Sequence, residues 1–383
     1  MAEAAARPRI GRVGVGVIVL GMSFGYAAGV VGPAAAPMSH DLHVSLSAAG
    51  LLTSVFFIAL AALAVVGAAV EEKLGIAWSA RWAAALMALG GVIVVVSPWF
   101  GGVLAGRAVA GIGTGVALIA SPVIARALKS VLLLGLYGGG ITFGLAAALF
   151  IGGQLQDAGV DWRVNFGISA AVGLAALPFL LGRFPEVPHM KHVGLSGLGA
   201  ALKSWRFWRL DLLFIFINGI PIVVGAWLLH YLTIHHGLGA GVAGDFGFLL
   251  FGVQTIARPV CGKLATTPPV RLLFSTVGPA VAALGLLLLA IDRHELVAAL
   301  AVILIAVGFG APYAIAYQRV EDIFPGNPEL GLAVALQGVN LSAILVAPLV
   351  GAALEHGYGR EAFVGLGAYC VAAGIANFTR SAG

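Results

Sequence analysis

Apolar stretches of about 20 residues recur along the whole chain, each closed by a short cluster of charged, proline or glycine residues, and a helix of that length crosses a hydrocarbon core of about 30 Å. The pattern predicts twelve spans, at 13–36, 46–70, 80–98, 101–124, 131–154, 163–183, 208–232, 240–262, 271–291, 295–318, 330–353 and 361–379. The longest polar interruption, Arg183 to Arg206 with Pro185 and Pro188, divides six spans from six. The expected organisation is an N-terminal six-helix bundle over 1–184, a cytoplasmic linker over 185–206 and a C-terminal six-helix bundle over 207–383.

Composition removes the alternative of a water-soluble globule, because 60% of the residues are apolar and 55 more are glycine. The 21 basic residues carry topological information. Three of them, Arg163, Arg293 and Arg360, fall in the odd-numbered gaps between spans, whereas sixteen lie in the even gaps and the termini. By the positive-inside rule both termini are cytosolic. Seven tryptophans at or near span ends fit an aromatic belt. The opening, Arg7, Arg9 and Arg12 followed by a long apolar stretch to Ala36, is read as a retained first helix rather than a cleaved leader.

The net charge of +5 is spread over loops and forms no stripe, so no nucleic-acid partner is expected. Cys261 and Cys370 fit packing, and the pairs His189/His192 and His235/His236 lack companion ligands, so no metal and no cofactor is expected. With no phosphate-binding loop and no convergent catalytic set, an enzyme is not expected. The halves also echo each other. Gly111 and Gly113 recur as Gly308 and Gly310, and Arg163 and Phe166 as Arg360 and Phe363, all at an offset of 197. The fold class is therefore an all-α membrane protein of twelve transmembrane helices in two pseudo-symmetric six-helix bundles.

Charges inside spans are costly and so draw attention first. Arg107 in span 4 shares a helical face with Gly111 and Thr114, and Arg258 lies in span 8 one turn after Gln254. No carboxylate occupies the middle of a span, Asp211 being placed at the inner end of span 7. Arginines without neighbouring acids favour an anionic substrate, with a proton as candidate coupling ion. Among uncharged polar residues, Asn218 precedes Gly219 and Pro221, and a proline there frees a backbone carbonyl inside the bilayer. Ser23 and Tyr26 share a face of span 1, Tyr313 and Tyr317 share one in span 10, and Asn340 sits beside Gln337 in span 11. These residues, with Arg107, Thr114, Gln254 and Arg258, are the candidate substrate-binding set.

The segments Ala68 to Gly75 (AAVEEKLG), Leu104 to Gly115 (LAGRAVAGIGTG) and Gly152 to Phe166 resemble motifs of the major facilitator superfamily, in the loop after span 2, in span 4 and after span 5. The resemblance covers the whole chain. It implies gating by Glu72, Lys73 and Gly75, although Ala68 stands where the family has glycine. It also implies a central cavity lined by spans 1, 4, 7 and 10, which singles out Tyr26, Arg107, Asn218 and Tyr313. Span 5 lacks the proline of drug–proton antiporters, and Ile256 to Lys263 (IARPVCGK) resembles a segment of anion-carrying branches. The expected function is rocker-switch transport of a small organic or inorganic anion by a monomer in a bacterial inner membrane, by symport or facilitated diffusion. The alternatives are drug or hydrophobic-metabolite efflux and a non-transporting membrane receptor.

Overall fold

The computed structural model describes residues 11–184, 198–324 and 328–378, with the side chains of 64–74, 131, 198, 200, 201, 328 and 329 outside that description. Among the described residues twelve helical units are long and apolar enough to cross a bilayer. They are span 1 (Arg12–Asp41), span 2 (Leu46–Leu63), span 3 (Ile76–Val96), span 4 (Phe100–Ala127), span 5 (Leu132–Asp157), span 6 (Arg163–Leu180), span 7 (Trp205–His235), span 8 (Ala240–Leu264), span 9 (Pro268–Ile291), span 10 (Glu295–Ile323), span 11 (Leu330–Glu355) and span 12 (Gly359–Phe378). Several helices outrun their apolar windows, since i to i−4 hydrogen bonding continues past the hydrocarbon. The helix of span 2 reaches Leu74, so the expected loop after it shrinks to Gly75. Most of the expected linker lies outside the described residues, and its described end is a short helix, Leu198–Lys203.

Large apolar side chains stand exposed in mid-helix, among them Leu89, Leu174, Leu284, Leu345 and Val371. Water would penalise that surface, whereas hydrocarbon does not. Trp78, Trp99 and Trp205 are exposed at helix ends, at the depth of an interface. The chain is an integral, multi-pass membrane protein. Twelve crossings put Gly11 and Phe378 on the same face, here the linker face, and leave the opposite one as the far face.

Three spans are broken where proline withholds a donor. Span 1 bends at Val30, between Arg12–Gly29 and Val31–Asp41, and Pro33 has no N–H for the Gly29 carbonyl. Span 7 contains a π-turn over Ile215–Gly219, closed by the Ile220 N–H on the Ile215 carbonyl, and Pro221 leaves the Ile217 carbonyl without its helical donor. Span 10 parts at Ala311 and Pro312, between Glu295–Gly310 and Tyr313–Ile323.

The two halves repeat one glycine packing. A Cβ on Gly90 would meet the Gly106 carbonyl and Ala110 N, and one on Gly113 would meet the Ala83 carbonyl and Met87 N. In the second half Gly285 stands in the same way against Ala301 and Ile305, and Gly308 against Gly278 and Ala282. The six positions repeat at an offset of 195, which corrects the pairing of Gly111 with Gly308 and of Gly113 with Gly310. Two residues turn a helix by about 200°, so the register of 197 pairs opposite faces. Gly111 instead approaches the Phe56 carbonyl of span 2, and Gly310 approaches Ala257 of span 8. Arg163 and Arg360 keep matching roles at the far ends of spans 3 and 9, bonding the carbonyl of Ser97, just past span 3, at 3.5 Å and that of Ala290, in the last turn of span 9, at 2.9 Å.

The halves meet along spans 1 and 7, 2 and 11, and 5 and 8. Glycine brings the backbones together near the far face: Gly32 lies on the Gly225 carbonyl, Gly50 on Pro348, and Gly153 on Gly244. Polar contacts cross the same seam. Gln154 Nε2 donates to Asp245 Oδ1 at 3.1 Å, Ser54 Oγ to the Ile344 carbonyl at 2.6 Å, and Thr255 Oγ1 to Thr142 Oγ1 at 2.9 Å. The glycine contacts of this seam gather toward the far face.

Candidate functional site

Arg258 lies in span 8 between the breaks of spans 7 and 10. Gly310 sets the distance, because a Cβ there would stand 2.7 Å from Ala257 Cβ. The guanidinium carbon is 4.0 Å from the centre of the Tyr313 ring, a cation–π stack. One terminal nitrogen donates to Gln254 Oε1 at 3.2 Å and lies 3.4 Å from the Ile217 carbonyl, the acceptor that Pro221 left open. The Tyr313 and Tyr317 hydroxyls are 3.4 Å apart, and Asn218 sits on the π-turn beside Tyr317. Five predicted residues, Asn218, Gln254, Arg258, Tyr313 and Tyr317, thus converge from three spans.

This cluster has a surplus of donors. Asn218 Nδ2, Gln254 Nε2 and Arg258 Nε are all buried without a partner. Gln254 is fully buried, and Arg258, which can only donate, fixes the side of its amide that accepts. Buried donors without acceptors are costly, and an entering group with several acceptor lone pairs satisfies them. Among the described residues Arg258 forms no ion pair, so its charge has no protein counter-ion.

Arg107 is placed differently. It is 2% exposed, its Nε donates to the Leu52 carbonyl at 3.1 Å, one terminal nitrogen donates to the Ala27 carbonyl at 2.5 Å, and the group stacks 4.4 Å from the Phe56 ring centre. All three partners belong to spans 1 and 2, within the first half. Its other terminal nitrogen has no partner. Thr114 bonds back to the Ala110 carbonyl at 2.8 Å, Ser23 Oγ faces Met87 Sδ at 3.5 Å, and Tyr26 donates to Asn165 Oδ1 at 2.6 Å. These four predicted residues are brought into the interior of the first half, away from the cluster of the second. Asn340 is buried in span 11 one turn before Ile344, the acceptor for Ser54 at the seam.

Gly75 carries φ 76° and ψ 152°, a backbone region that requires glycine, and its carbonyl receives both the N–H and the hydroxyl of Ser79. The glycine is explained by that turn. The side chains of Glu72 and Lys73 lie outside the described residues. One polar residue, Asn165, escaped the sequence reading, and another, Asp211, was expected only at the inner end of span 7. Asn165 bridges Tyr26 to the Ala148 carbonyl at 3.3 Å, and Asp211 is 6% exposed rather than at a wet helix end, because span 7 begins six residues earlier. The run Trp205-Arg-Phe-Trp-Arg-Leu-Asp-Leu-Leu-Phe214, with its apolar residues after the acid, was the available signal.

The profile of the Major Facilitator Superfamily matches residues 17–329. The chain belongs to that superfamily. In Bacillus subtilis (strain 168) the uncharacterized MFS-type transporter YbcL is 25% identical over 236 residues, which are 60% of this chain and 59% of that protein's own length. Among solved structures, a bacterial homologue of the human lysosomal transporter Spinster, inward-facing and unoccupied, superposes with a TM-score of 0.79 at 18% identity, over 96% of this chain and 95% of that one. A D-xylose-proton symporter superposes with a TM-score of 0.80 at 17% identity, over 96% and 97%. These likenesses show the twelve-helix fold of the superfamily. Family and fold together point to a transporter of some solute by alternating access.

Proposed function

We propose that the protein carries a small organic or inorganic anion across a bacterial inner membrane by alternating access, with Asn218, Gln254, Arg258, Tyr313 and Tyr317 as its binding site. The observation that carries this reading is the set of three buried nitrogen donors without acceptors, Nε of Arg258 and the amide nitrogens of Asn218 and Gln254, at an arginine that forms no ion pair among the described residues. A carboxylate or oxyanion fills all of them and neutralises the guanidinium, whereas a cation would leave them unpaired and be repelled. Broken spans 7 and 10 supply the free backbone and the mobile segments that such a site needs.

The basic residues of the linker face, among them Arg81, Arg126, Lys129, Arg183, Lys203 and Arg271, support a cytosolic location for it and for both termini. The far face is then external, and the described state is closed to the outside. Spans 1–6 and 7–12 act as the two rocking bundles, joined through 185–206. In this reading Arg107 is a brace that ties span 4 to spans 1 and 2, and the anion meets it at most indirectly.

Counterflow in proteoliposomes preloaded with acetate, benzoate, nitrate or phosphate tests the proposal. Exchange of at least one labelled anion is expected, with loss of exchange in Arg258→Ala at unchanged folding. Flux of a lipophilic cation such as tetraphenylphosphonium, with no anion exchanged, would overturn it.

A further inference from the structure

Asp211 lies inside span 7, with its carboxylate turned to span 11. A Cβ on Gly338 would collide with both carboxylate oxygens, so glycine at that position makes the room the acid occupies. Oδ1 is buried and has no hydrogen-bond partner. The groups that face this region are polar, and among the described residues Asp211 itself forms no ion pair. From span 12, Tyr369 spends its hydroxyl on the Leu212 carbonyl at 3.0 Å, Cys370 is a buried thiol, and Asn377 bonds the Arg209 carbonyl at 3.2 Å and accepts from Arg319 of span 10 at 2.8 Å. Arg209, two residues before Asp211 on its own helix, and Arg319 are the cations of the neighbourhood. Span 11 contributes Gly338, which has no side chain.

An ionised carboxylate in such a place is expensive, and protonation removes the cost by placing an O–H on an oxygen that otherwise lacks a donor. The position gives that proton leverage. Along span 7, Asp211 is seven residues before Asn218 of the donor cluster, on the linker-face side. Across span 11, its neighbour Gly338 is six residues before Ile344, which holds Ser54 of the first half. One titration therefore touches both the helix that carries the site and the helix that forms the seam.

We infer that Asp211 is the binding site of a coupling proton, taken from linker-face water onto the carboxylate and released back to water as the seam opens and closes. A single carboxylate suits a proton, while a metal cation needs several oxygen ligands, and among the described residues no cluster of three acidic, histidine or cysteine side chains exists. The role in transport rests on the alternating-access reading above; the protonation itself does not.

The test uses the full chain in lipid without substrate. Infrared difference spectra across a pH titration should contain a protonated-carboxyl carbonyl band that Asp211→Asn lacks and Asp211→Glu retains at a shifted frequency. The seam is read in parallel, by maleimide labelling of Ser54→Cys in a background free of Cys261 and Cys370. Labelling should change several-fold with pH, and Asp211→Asn should abolish that dependence. A band unaffected by Asp211→Asn, a labelling rate whose pH dependence survives it, or a band that moves with sodium rather than with pH overturns the inference. Because no anion is present, these outcomes are independent of whether counterflow supports the anion reading.

Discussion

Two arginines inside the membrane, one in each half, show how differently the same side chain is used. Arg107 is enclosed: two carbonyls and the Phe56 ring hold it, and all of them belong to its own bundle. Arg258 is only partly satisfied, by a glutamine one turn away, a long contact to Ile217 and the face of Tyr313. Carbonyls of packed helices cannot leave, so the first arrangement is a brace. The second leaves buried donors without acceptors, between helices already broken by proline. Each arginine leaves one guanidinium nitrogen unpaired, but around Arg258 the amide nitrogens of Asn218 and Gln254 are unpaired as well, and that accumulation of donors is what marks a site.

The largest expected effect tests the brace. Arg107→Ala removes two charge-assisted hydrogen bonds and the packing on Phe56, a loss of about 2–4 kcal/mol in stability. Thermal unfolding in detergent should show it, and an unchanged melting temperature would erase the distinction between the arginines. Arg258→Ala is expected to leave melting nearly unaltered and to weaken anion binding about 10- to 100-fold, the equivalent of about 1.5–3 kcal/mol. Titration calorimetry against the anion found by counterflow reads this, and Arg258→Lys should recover part of it by restoring charge without the planar fork.

A third substitution asks whether the far-face seam is under the control of small residues. A Cβ on Gly153 would sit 2.7 Å from the Ala240 carbonyl and from Gly244 Cα, so Gly153→Ala must part the helices, at about 1–2 kcal/mol. Labelling of a cysteine introduced near the far end of span 8 should rise, and equal labelling in both proteins would show that the seam tolerates the methyl group. The smallest effect concerns His236, on the far face. Its Nε2 lies 3.0 Å from the Leu289 carbonyl, Nδ1 is buried without a partner, and burial holds its pKa below the ordinary imidazole value. The unfolded chain then binds the proton more readily than the folded one, so this contribution is present above the ordinary imidazole range and fades as pH falls through it. His236→Gln should flatten the dependence of melting temperature on pH in that interval.

Span positions were legible in the sequence because hydrocarbon thickness dictates one run length, and Pro221 correctly announced a free carbonyl. What it could not announce is the recipient, since Arg258 lies 41 residues away from Ile217 in sequence and only the fold unites them. The surroundings of Arg107 were illegible for a related reason: its partners are backbone carbonyls, which every residue possesses and no motif records. The glycine repeat erred by two residues because, among so many glycines, a match of letters does not fix the helical face. Asp211 was placed at the inner end of span 7 because the apolar run of the sequence starts at 208, whereas the helix starts at Trp205 and is already packed at the acid.

The most direct test of the central claim is a pair of spin-label distances between the halves, with and without the anion identified by counterflow. One pair joins Lys129 and Thr266 on the linker face and the other joins Asp161 and His356 on the far face. The account predicts that the anion shortens the first distance and lengthens the second, and that Arg258→Ala removes the response while leaving the resting distances intact. Distances that ignore the anion, or an Arg258→Ala protein that still responds to it, would contradict the account.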